Sequence, residues 1–452
     1  MHTSSYIFFV YDVSFKFISF PGFLCPRVTH WHGTLSSSEY QNDGVSIKAT
    51  TMIIPRASLL ALAAASAADA LSTTVAPLPP IDVGNRSVPR LDNGMDYVRL
   101  GSSDLVVSKV CLGTMTFGKQ NTLEEGVEQL NLAFDEYGVN FLDTAEMYPV
   151  PTEASTQGKT DETVAAFLKG RKREDVVLAT KVSGRSERID WLRKDGSCAE
   201  VNRKQILESV DSSLQRLNTD YIDLLQIHWP DRYTGGLFGQ PDFSPSNEKE
   251  SNSFEEQLSA LNEVVQSGKV RYIGVSNETP FGVCSMVEMA KRAPELYPRI
   301  ASIQNSYSLV VRKDYEAGLA EACYHHDVGL LPYSPLAGGI LTGKYADPDN
   351  VPAGARLNLF PGFMDRYRGS QTEAAASSYA KIAKGAGMSP TELALAWCYH
   401  RDHVCSTIIG ATTIPQLEEN IKAYDIQLDD IQMDEITNVY KKYTDPTKGY
   451  NA

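Results

Sequence analysis

The chain has few cysteines, no basic run and no long apolar segment, and each absence argues against a class of function. Its seven cysteines lack the pairwise spacing of a zinc site, and an odd, scattered set argues against a disulfide framework. The formal net charge of −14 disfavours nucleic acids and anionic membrane surfaces as partners. No apolar run approaches the roughly 20 residues that span a bilayer, so no transmembrane segment is expected. No G-x-G-x-x-G opens a βαβ unit, so a Rossmann dinucleotide site is not indicated.

The first 94 residues differ in composition from the rest of the chain. Residues 1–51 are rich in aromatics without any period, and we interpret them as a leader that is expected to be disordered. Residues 52–70 combine Arg56, a short apolar run and Ala68-Asp69-Ala70, which is the layout of a signal peptide; a disordered alanine-rich tail is the alternative. Proline-rich residues 71–94 are typical of a linker. We therefore expect a targeting peptide and linker over 52–94, a cytoplasmic or plastid location, and one folded domain over 95–446.

Strand-like and helix-like segments alternate from residue 108 onward, which predicts an α/β domain with parallel strands. Capping boxes at Thr122 and Ser389 mark the start of two predicted helices. Two long connections, 184–202 and 229–254, follow strands; we interpret them as walls of a substrate pocket, with surface loops of no function as the alternative. The eight predicted strands span residues 108–111, 140–142, 176–180, 222–226, 270–276, 302–304, 329–333 and 406–409.

Four titratable residues, Asp143, Tyr148, Lys181 and His228, lie at or near the ends of predicted strands. A fold that collects the carboxyl ends of parallel strands on one face would bring them together. Reduction of a carbonyl by hydride leaves an alkoxide that needs a proton, and a tyrosine with a pKa of about 10 is a poor acid near neutrality. We predict that Lys181 lowers the pKa of Tyr148, that Asp143 holds the lysine, and that His228 donates a hydrogen bond to the carbonyl oxygen. Unrelated turn and core residues are the alternative.

Five segments carry a resemblance to a known family: residues 112–118, 141–148, 227–231, 274–278 and 303–309 resemble the aldo-keto reductase superfamily. Residues 147–151 with 156–158 resemble its bacterial Tas-type branch. The resemblance covers residues 97–443. It implies a (β/α)8 TIM barrel, NADP(H) as the hydride donor and a small-molecule aldehyde or ketone as the substrate. Trp229 joins Tyr148 and His228 in the implied substrate pocket.

Two loops suit an anionic cofactor, because phosphate sites in such barrels commonly follow strands seven and eight. The first contains Gly338, Gly343 and Lys344 in a G-x₄-G-K pattern, but Tyr345 replaces the Ser or Thr of a P-loop, so a diphosphate cradle is favoured over a triphosphate site. The second begins a helix, whose N-terminus favours an anion.

The resemblance also assigns cofactor contacts to individual residues. The implied contacts are Tyr333 on the nicotinamide ring; Ser276, Asn277 and Gln304 at its carboxamide; Thr114, Met115, Gln120 and Asp143 close by; Ser334, Pro335, Leu336, Ala337, Gly338 and Lys344 along the diphosphate; Arg356 at the adenosine phosphate; and Gly410, Thr412, Gln416, Glu419 and Asn420 at the adenosine end. Gly410 carries no basic side chain, so a preference for NADPH over NADH depends on Lys344, Arg356 and local hydroxyls.

A non-catalytic NADP(H)-binding regulator, resembling the channel β-subunits, is the alternative function. Those regulators lack a histidine at the position of His228, which favours the reductase. A metal-dependent hydrolase on the same barrel would need converging histidine and carboxylate ligands, and the eight histidines suggest no such set, so no metal is expected. The sequence predicts neither the individual substrate nor the oligomeric state.

Overall fold

The chain divides into two compact units, Met1–Gly84 and Asn85–Ala452, which are described separately. A computed structural model describes the backbone of four strands between residues 6 and 52, and residues 94–240 and 242–451. Parts of the expected leader, and residues 53–93 of the candidate targeting peptide and linker, lie outside the described residues. The predictions about targeting and compartment therefore stay predictions.

The described part of the first unit is a four-stranded antiparallel sheet. Its strands are β1 (Tyr6–Tyr11), β2 (Ser14–Ser19), β3 (Leu35–Asn42) and β4 (Val45–Met52). They pair in the order β1-β2-β4-β3. No strand was predicted in this stretch, although Ser14–Ser19 and Val45–Met52 each begin with alternating polar and apolar residues.

Ten further strands belong to the described part of the second unit. They are β5 (Tyr97–Arg99), β6 (Val106–Ser108), β7 (Val110–Gly113), β8 (Phe141–Asp143), β9 (Val177–Val182), β10 (Ile222–Ile227), β11 (Val270–Ser276), β12 (Ile300–Gln304), β13 (Gly329–Leu330) and β14 (Thr407–Ile409). Strands β7 to β14 form one parallel sheet in the order β13-β12-β11-β10-β9-β8-β7-β14. The Cys405 and Ile408 N–H groups donate to the Leu330 and Pro332 carbonyls at 3.0 and 2.9 Å, which joins the two ends of the sheet. The predicted (β/α)8 barrel is confirmed.

Helices connect the strands and cover the outside of the barrel. The α-helices are Leu123–Asn131, Lys159–Leu168, Arg203–Leu217, Phe254–Gln266, Pro280–Arg292, Lys313–Glu316, Leu319–His326, Arg356–Leu359, Ser370–Gly385, Pro390–Tyr399, Ile414–Lys422 and Asp430–Lys442. Short 3₁₀ segments are Arg173–Asp175, Leu237–Gly239, Pro245–Asn247, Ala337–Thr342, Pro348–Asn350, Asp365–Tyr367, Ala423–Asp425 and Pro446–Asn451, and Leu132–Glu136 is a π-helical turn. The capping boxes at Thr122 and Ser389 are both present, as predicted.

Alternate residues of the strands face the helices and the barrel interior. Leu142 and Leu178 pack with Leu130 of the first helix. Their neighbours Phe141 and Ala179 belong to a separate cluster that gathers side chains from strands around the whole barrel. Both faces of each strand are therefore buried, so each strand appears in the sequence as an almost continuous apolar run.

Two strand boundaries differ from the prediction for identifiable reasons. The predicted strand 108–111 is interrupted after Ser108, whose N–H donates to the Asn140 side chain at 2.7 Å and whose hydroxyl accepts from the Asn140 N–H at 3.2 Å. The predicted strand 329–333 is shorter in the structure, ending at Leu330. Pro332 follows, and a proline has no N–H to donate to a ladder.

The β5–β6 hairpin closes the barrel at the end opposite the site. Its fully buried Leu100 and Leu105 join the interior cluster. Gly101 lies between them at φ +48°, and a Cβ there would stand 2.0 Å from the carbonyl oxygen of Ala301. Only glycine tolerates both this backbone conformation and this close approach.

We expect Gly101→Ala to lower the free energy of unfolding by about 2–4 kcal/mol, because strain and overpacking act together. Urea unfolding followed by tryptophan fluorescence measures this change. Gly385→Ala is the matched control: a Cβ there meets nothing within 4 Å, and the residue ends a helix. The control should change stability by less than about 1 kcal/mol. Equal effects of the two substitutions would contradict the role given to the hairpin.

Candidate active site

A buried ion pair at the carboxyl ends of β8 and β9 forms the base of the site. Lys181 Nζ donates to Asp143 Oδ2 at 2.5 Å and to the Thr144 carbonyl at 2.8 Å. The lysine and aspartate side chains are 0 and 3% exposed. The Gln226 and Gln304 amides donate to the other carboxylate oxygen at 3.1 and 2.8 Å. The carboxylate is thereby fixed from three strands besides its own, and it holds the ammonium in one place.

The Tyr148 hydroxyl lies 3.4 Å from Lys181 Nζ. The tyrosine is almost fully buried, and the ammonium is 4.9 Å from the centre of its ring. Burial raises the pKa of Tyr148, and the Lys181 charge opposes that rise without cancelling it. The prediction that Lys181 lowers this pKa is correct for the lysine's own contribution but wrong for the net direction, because burial has the larger effect.

The surroundings of Lys181 and His228 determine their protonation states. Burial opposes the Lys181 charge, but Asp143 and then Tyr148 outweigh it, so the pKa of Lys181 is raised and the side chain stays an ammonium. Burial and then the Lys181 charge put the pKa of His228 well below its ordinary value, so the imidazole is neutral at pH 7. The His228 ring lies edge-on to Tyr148, with ring centres 5.8 Å apart. Among the described residues its buried Nδ1 has no hydrogen-bond partner.

The first long loop is anchored beneath Tyr148 by a pair of residues that sequence reasoning missed. Arg193 contacts both oxygens of Glu146, at 2.7 and 2.9 Å, and both side chains are buried. Ser183 N–H also donates to Glu146 at 2.7 Å. Burial raises the pKa of Glu146, but Arg193 outweighs it and the net pKa is lowered. The two residues lie 47 positions apart, so no local pattern connects them.

The second long loop is joined to the first through Asp231. Its fully buried carboxylate accepts from Arg185 Nη2 at 2.9 Å and from the Val201 N–H at 2.7 Å, both in the first loop. It also accepts from the Asn252 N–H at 2.7 Å, near the end of its own loop. The two connections predicted as pocket walls therefore form one hydrogen-bonded unit.

Aromatic rings line the entrance beside the histidine. The Trp229 ring lies 5.0 Å from the His228 ring, and its Nε1 donates to the Arg185 carbonyl at 2.9 Å. Phe238, in the second loop, lies 6.3 Å from Trp229 and is 48% exposed. Met115 packs against the same cluster as Tyr148 and Trp229. The predicted pocket residues Tyr148, His228 and Trp229 are thus brought together.

The residues assigned to the nicotinamide occupy one wall, with one exception. The Tyr333 hydroxyl donates to Asn277 Oδ1 at 2.6 Å, and Asn277 Nδ2 donates to the His228 carbonyl at 2.8 Å. The Ser276 hydroxyl donates to the backbone carbonyl of Gln304 at 2.7 Å. The Gln304 side chain itself lies deeper, where its amide donates to the Asp143 carboxylate.

Three non-glycine residues of this wall have left-handed backbones. Asn277, Ser334 and Ala337 have φ values of 54, 54 and 49°. Such conformations cost about 1–3 kcal/mol each and concentrate at functional sites. Gly338 and Gly339 continue the turn with φ values of 66 and 99°. Successive N–H groups in turns of this kind form a concave surface that suits an anion.

Two cations next to this turn lack anionic partners. Among the described residues neither Lys344 nor Arg356 forms an ion pair; Arg356 donates only to Gln120 Oε1, at 3.4 Å. Burial and then Arg356 lower the pKa of Lys344, and burial lowers that of Arg356. Both depressions indicate positive charges that the protein does not compensate. The donor set therefore fits a phosphate-bearing cofactor.

The residues assigned to the adenosine end lie around the helix Ile414–Lys422. Gln416 Oε1 accepts from the Thr412 N–H at 3.1 Å, and Asn420 Nδ2 donates to the Gly410 carbonyl at 3.2 Å. Glu419 accepts from the Ser389 hydroxyl at 2.7 Å and contributes a charge near Lys344.

Three more of the assigned residues are buried or half-buried near the cofactor loop and β7. The Thr114 hydroxyl donates to the Asp143 carbonyl at 2.9 Å. Pro335 is buried, and Leu336 packs against the core. Within the described residues no cluster of three or more potential metal ligands occurs.

Comparison with known proteins places this geometry in a family. The model of the aldo/keto reductase family matches residues 109–441. The chain belongs to the aldo/keto reductase family. It is 44% identical to Protein tas of Escherichia coli strain K12 over 354 residues, 78% of this chain and 99% of that protein. The predicted family and its Tas-type branch are confirmed.

Two other relatives of this aldo/keto reductase carry different names. The Aldo-keto reductase of Babesia bovis is 42% identical over 284 residues, 60% of this chain and 98% of that protein. A probable voltage-gated potassium channel subunit beta of Arabidopsis thaliana is 31% identical over 352 residues, 76% of this chain and 96% of that protein.

No helix among the described residues is both long and apolar enough to cross a membrane.

We expect Arg193→Met to lower the free energy of unfolding by about 3–5 kcal/mol at pH 7.5, because Glu146 is left charged and buried. With Arg193 present, the lowered pKa of Glu146 stabilises the fold above the carboxyl's unfolded pKa, and this is lost as pH falls through the folded value. Without Arg193, burial alone raises that pKa. The deficit of the variant should therefore shrink as pH falls toward 5.

Urea unfolding at pH 7.5 and 5.5 measures both effects. Arg203→Met is the matched control, because Arg203 makes the same two-point contact with Glu263, at 2.9 and 2.8 Å, on the exposed surface. Its cost should stay below about 1 kcal/mol. A pH-independent deficit in Arg193→Met would contradict the charge argument.

Proposed function

We propose that this aldo/keto reductase uses NADP(H) to reduce aldehydes or ketones to alcohols, with Tyr148 as the proton donor. The observation that carries the proposal is the contact between the Tyr148 hydroxyl and the Lys181 ammonium, 3.4 Å apart, with the ammonium anchored on Asp143. A phenol, a fixed cation and a neutral imidazole beside one pocket are what protonation of a nascent alkoxide requires.

The raised pKa of Tyr148 suits a donor that must hold its proton until the reaction needs it. At neutral pH the resting side chain is a phenol. The chemistry that NADPH would supply when bound is the hydride. As the carbonyl oxygen gains negative charge it becomes a stronger base than the phenolate, and Tyr148 gives up its proton. The Lys181 ammonium then balances the phenolate charge in a site from which water is largely excluded.

His228 and the loops orient the carbonyl. The neutral imidazole offers one N–H donor and one acceptor, because its pKa lies well below 6.5. Its ring stands edge-on to Tyr148, with the ring centres 5.8 Å apart, and its Nδ1 has no partner among the described residues. A hydrogen bond from His228 and one from Tyr148 would hold a single carbonyl oxygen. The Trp229 ring borders the space on the side of the loops.

The uncompensated charges of Lys344 and Arg356 support a phosphate-bearing cofactor. Their depressed pKa values return toward normal when an anion binds, and that recovery contributes to affinity. Their position beside the turn at Gly338 and Gly339 matches the diphosphate and adenosine-phosphate roles that the family resemblance implies. NADPH has one more phosphate than NADH and therefore gains more from two cations.

A non-catalytic NADP(H)-binding regulator is the second candidate. Its support is the similarity to a plant protein named as a probable potassium channel subunit beta. His228, together with the intact Asp143–Lys181–Tyr148 arrangement, favours the reductase. Turnover separates the two proposals, because a regulator of this kind would bind NADPH without consuming it on any carbonyl.

We expect Tyr148→Phe to reduce NADPH consumption by at least about 100-fold, because the proton donor is lost while the ring is kept. The assay uses the full chain with aromatic aldehydes, short aliphatic aldehydes and quinones, and NADPH binding followed by fluorescence should change little. Tyr324→Phe is the control, since Tyr324 is 83% exposed. Undiminished turnover in Tyr148→Phe would refute the assignment. Tight NADPH binding by the unaltered protein without turnover on any carbonyl would favour the regulator.

We expect Lys344→Ala and Arg356→Ala each to weaken NADPH by about 10–100-fold and NADH by less, because each loses a charge-assisted contact to phosphate and NADPH carries one phosphate more than NADH. Fluorescence titration with both dinucleotides measures the two affinities. Lys441→Ala removes an exposed lysine near the C-terminus and should change neither affinity. Equal losses for NADPH and NADH would refute a role at the additional phosphate.

A further inference from the structure

A third cation without an anionic partner, Arg366, lies beside the substrate pocket. It belongs to the 3₁₀ segment Asp365–Tyr367, in the long connection between β13 and β14, and it is half-buried. Its guanidinium is 6.0 Å from the centre of the Phe238 ring and 4.5 Å from that of Tyr367. It is also close enough to Tyr333 for each side chain to affect the pKa of the other.

These contacts connect Arg366 to the proton donor through a row of aromatic rings. Neighbouring rings in the row Tyr148, His228, Trp229 and Phe238 are separated by 5.8, 5.0 and 6.3 Å. Arg366 stands over the outer end of this row, at the rim where Phe238 is exposed. Tyr333 lies within electrostatic reach of both Arg366 and Tyr148. The guanidinium therefore lies beside the space in which the part of a substrate remote from its carbonyl would sit.

The hydrogen-bonding state of Arg366 sets it apart from the buried and half-buried arginines of the two long loops. Arg193, Arg232 and Arg185 each contact a carboxylate at 2.6 to 2.9 Å. Within the described residues Arg366 forms no ion pair, and one Nη2 contact of 3.1 Å to the Tyr367 hydroxyl is its only hydrogen bond. A guanidinium has five N–H donors, so most of them have no acceptor in the protein.

None of the unused donors of Arg366 is among the buried unpartnered atoms of the described residues, so an anion that enters the pocket can reach them. The planar fork of the guanidinium matches a carboxylate in a two-point contact. Cation–π contacts with Phe238 and Tyr367 hold the guanidinium in place. The exposed Phe238 ring, with Trp229 behind it, suits a planar or apolar spacer. Lys344 and Arg356 remain for the phosphates of the cofactor.

We infer that Arg366 determines substrate specificity, and that the preferred substrates are aldehydes or ketones that carry a carboxylate on an aromatic or similarly flat spacer. The inference rests on the proposed reductase function and narrows it to one class of substrate. Arg366 takes no part in proton transfer in this arrangement. It positions the substrate by its remote end, so that the carbonyl oxygen meets Tyr148 and His228.

The test compares two substrates that differ only in charge, 4-carboxybenzaldehyde and its methyl ester. We expect the unaltered enzyme to prefer the acid by about 10–100-fold in kcat/KM, mainly through KM, because a two-point charge-assisted contact is made by the acid alone. In Arg366→Met the ratio should fall to about one, and Arg366→Lys should keep part of it. Arg292→Met removes one exposed positive charge at the end of a helix and should leave the ratio unchanged.

A binding measurement keeps this test independent of turnover. Calorimetry with 4-(hydroxymethyl)benzoate and its methyl ester, on the protein loaded with NADP⁺, should show the same preference and the same loss in Arg366→Met. A preference in binding without turnover on any substrate would refute the reductase and leave the role of Arg366 standing. No preference in the unaltered protein, or an undiminished one in Arg366→Met, would overturn the inference. A loss of NADPH affinity in Arg366→Met as large as the loss of carboxylate preference would assign Arg366 to the cofactor instead.

Discussion

The buried contact between Lys181 and Asp143 is the constraint around which the site is built. Removing two charges from water costs several kcal/mol per ion, and their attraction offsets this only when the remaining hydrogen-bonding positions are filled. Thr144, Gln226 and Gln304 fill them, and they come from neighbouring parts of the same barrel. A closed parallel sheet is therefore needed before the ammonium can stand next to a tyrosine. The same burial that makes the ion pair rigid also raises the pKa of Tyr148, so in the proposed mechanism the lysine serves mainly to balance charge after proton transfer.

Much of the barrel and the base of the site could be predicted from the sequence. Eight apolar runs in the sequence correspond to the eight strands of the barrel, because each strand is buried on both faces. Asp143, Lys181 and His228 were found because they follow such runs directly, and a parallel barrel gathers those positions at one end. Boundaries were less accurate where a side chain or a proline determined them, as at Ser108 and Pro332.

Other parts of the site depend on contacts between distant segments and left no local signal. Glu146 and Arg193 form a buried pair across 47 positions, and neither residue type nor spacing connects them. Arg366 has no motif; what distinguishes it is the lack of a carboxylate partner, which only coordinates reveal. The net direction of the Tyr148 pKa was also missed. The sequence gives the identity of neighbouring charges, while the degree of burial that outweighs them is a property of the folded protein.

The buried carboxylate of Asp231 has a consequence for how pockets of this kind can be altered. Because it accepts N–H donors from both long loops, either loop replaced alone would leave a desolvated charge without part of its shell. The two loops are thus one module in a physical sense, although they are separate in the chain. Grafting a pocket between relatives, or evolving a new one, would have to transfer Arg185, Val201, Asp231 and Asn252 together. Substitution of a side chain that makes no hydrogen bond with Asp231, such as Phe238, does not disturb these hydrogen bonds.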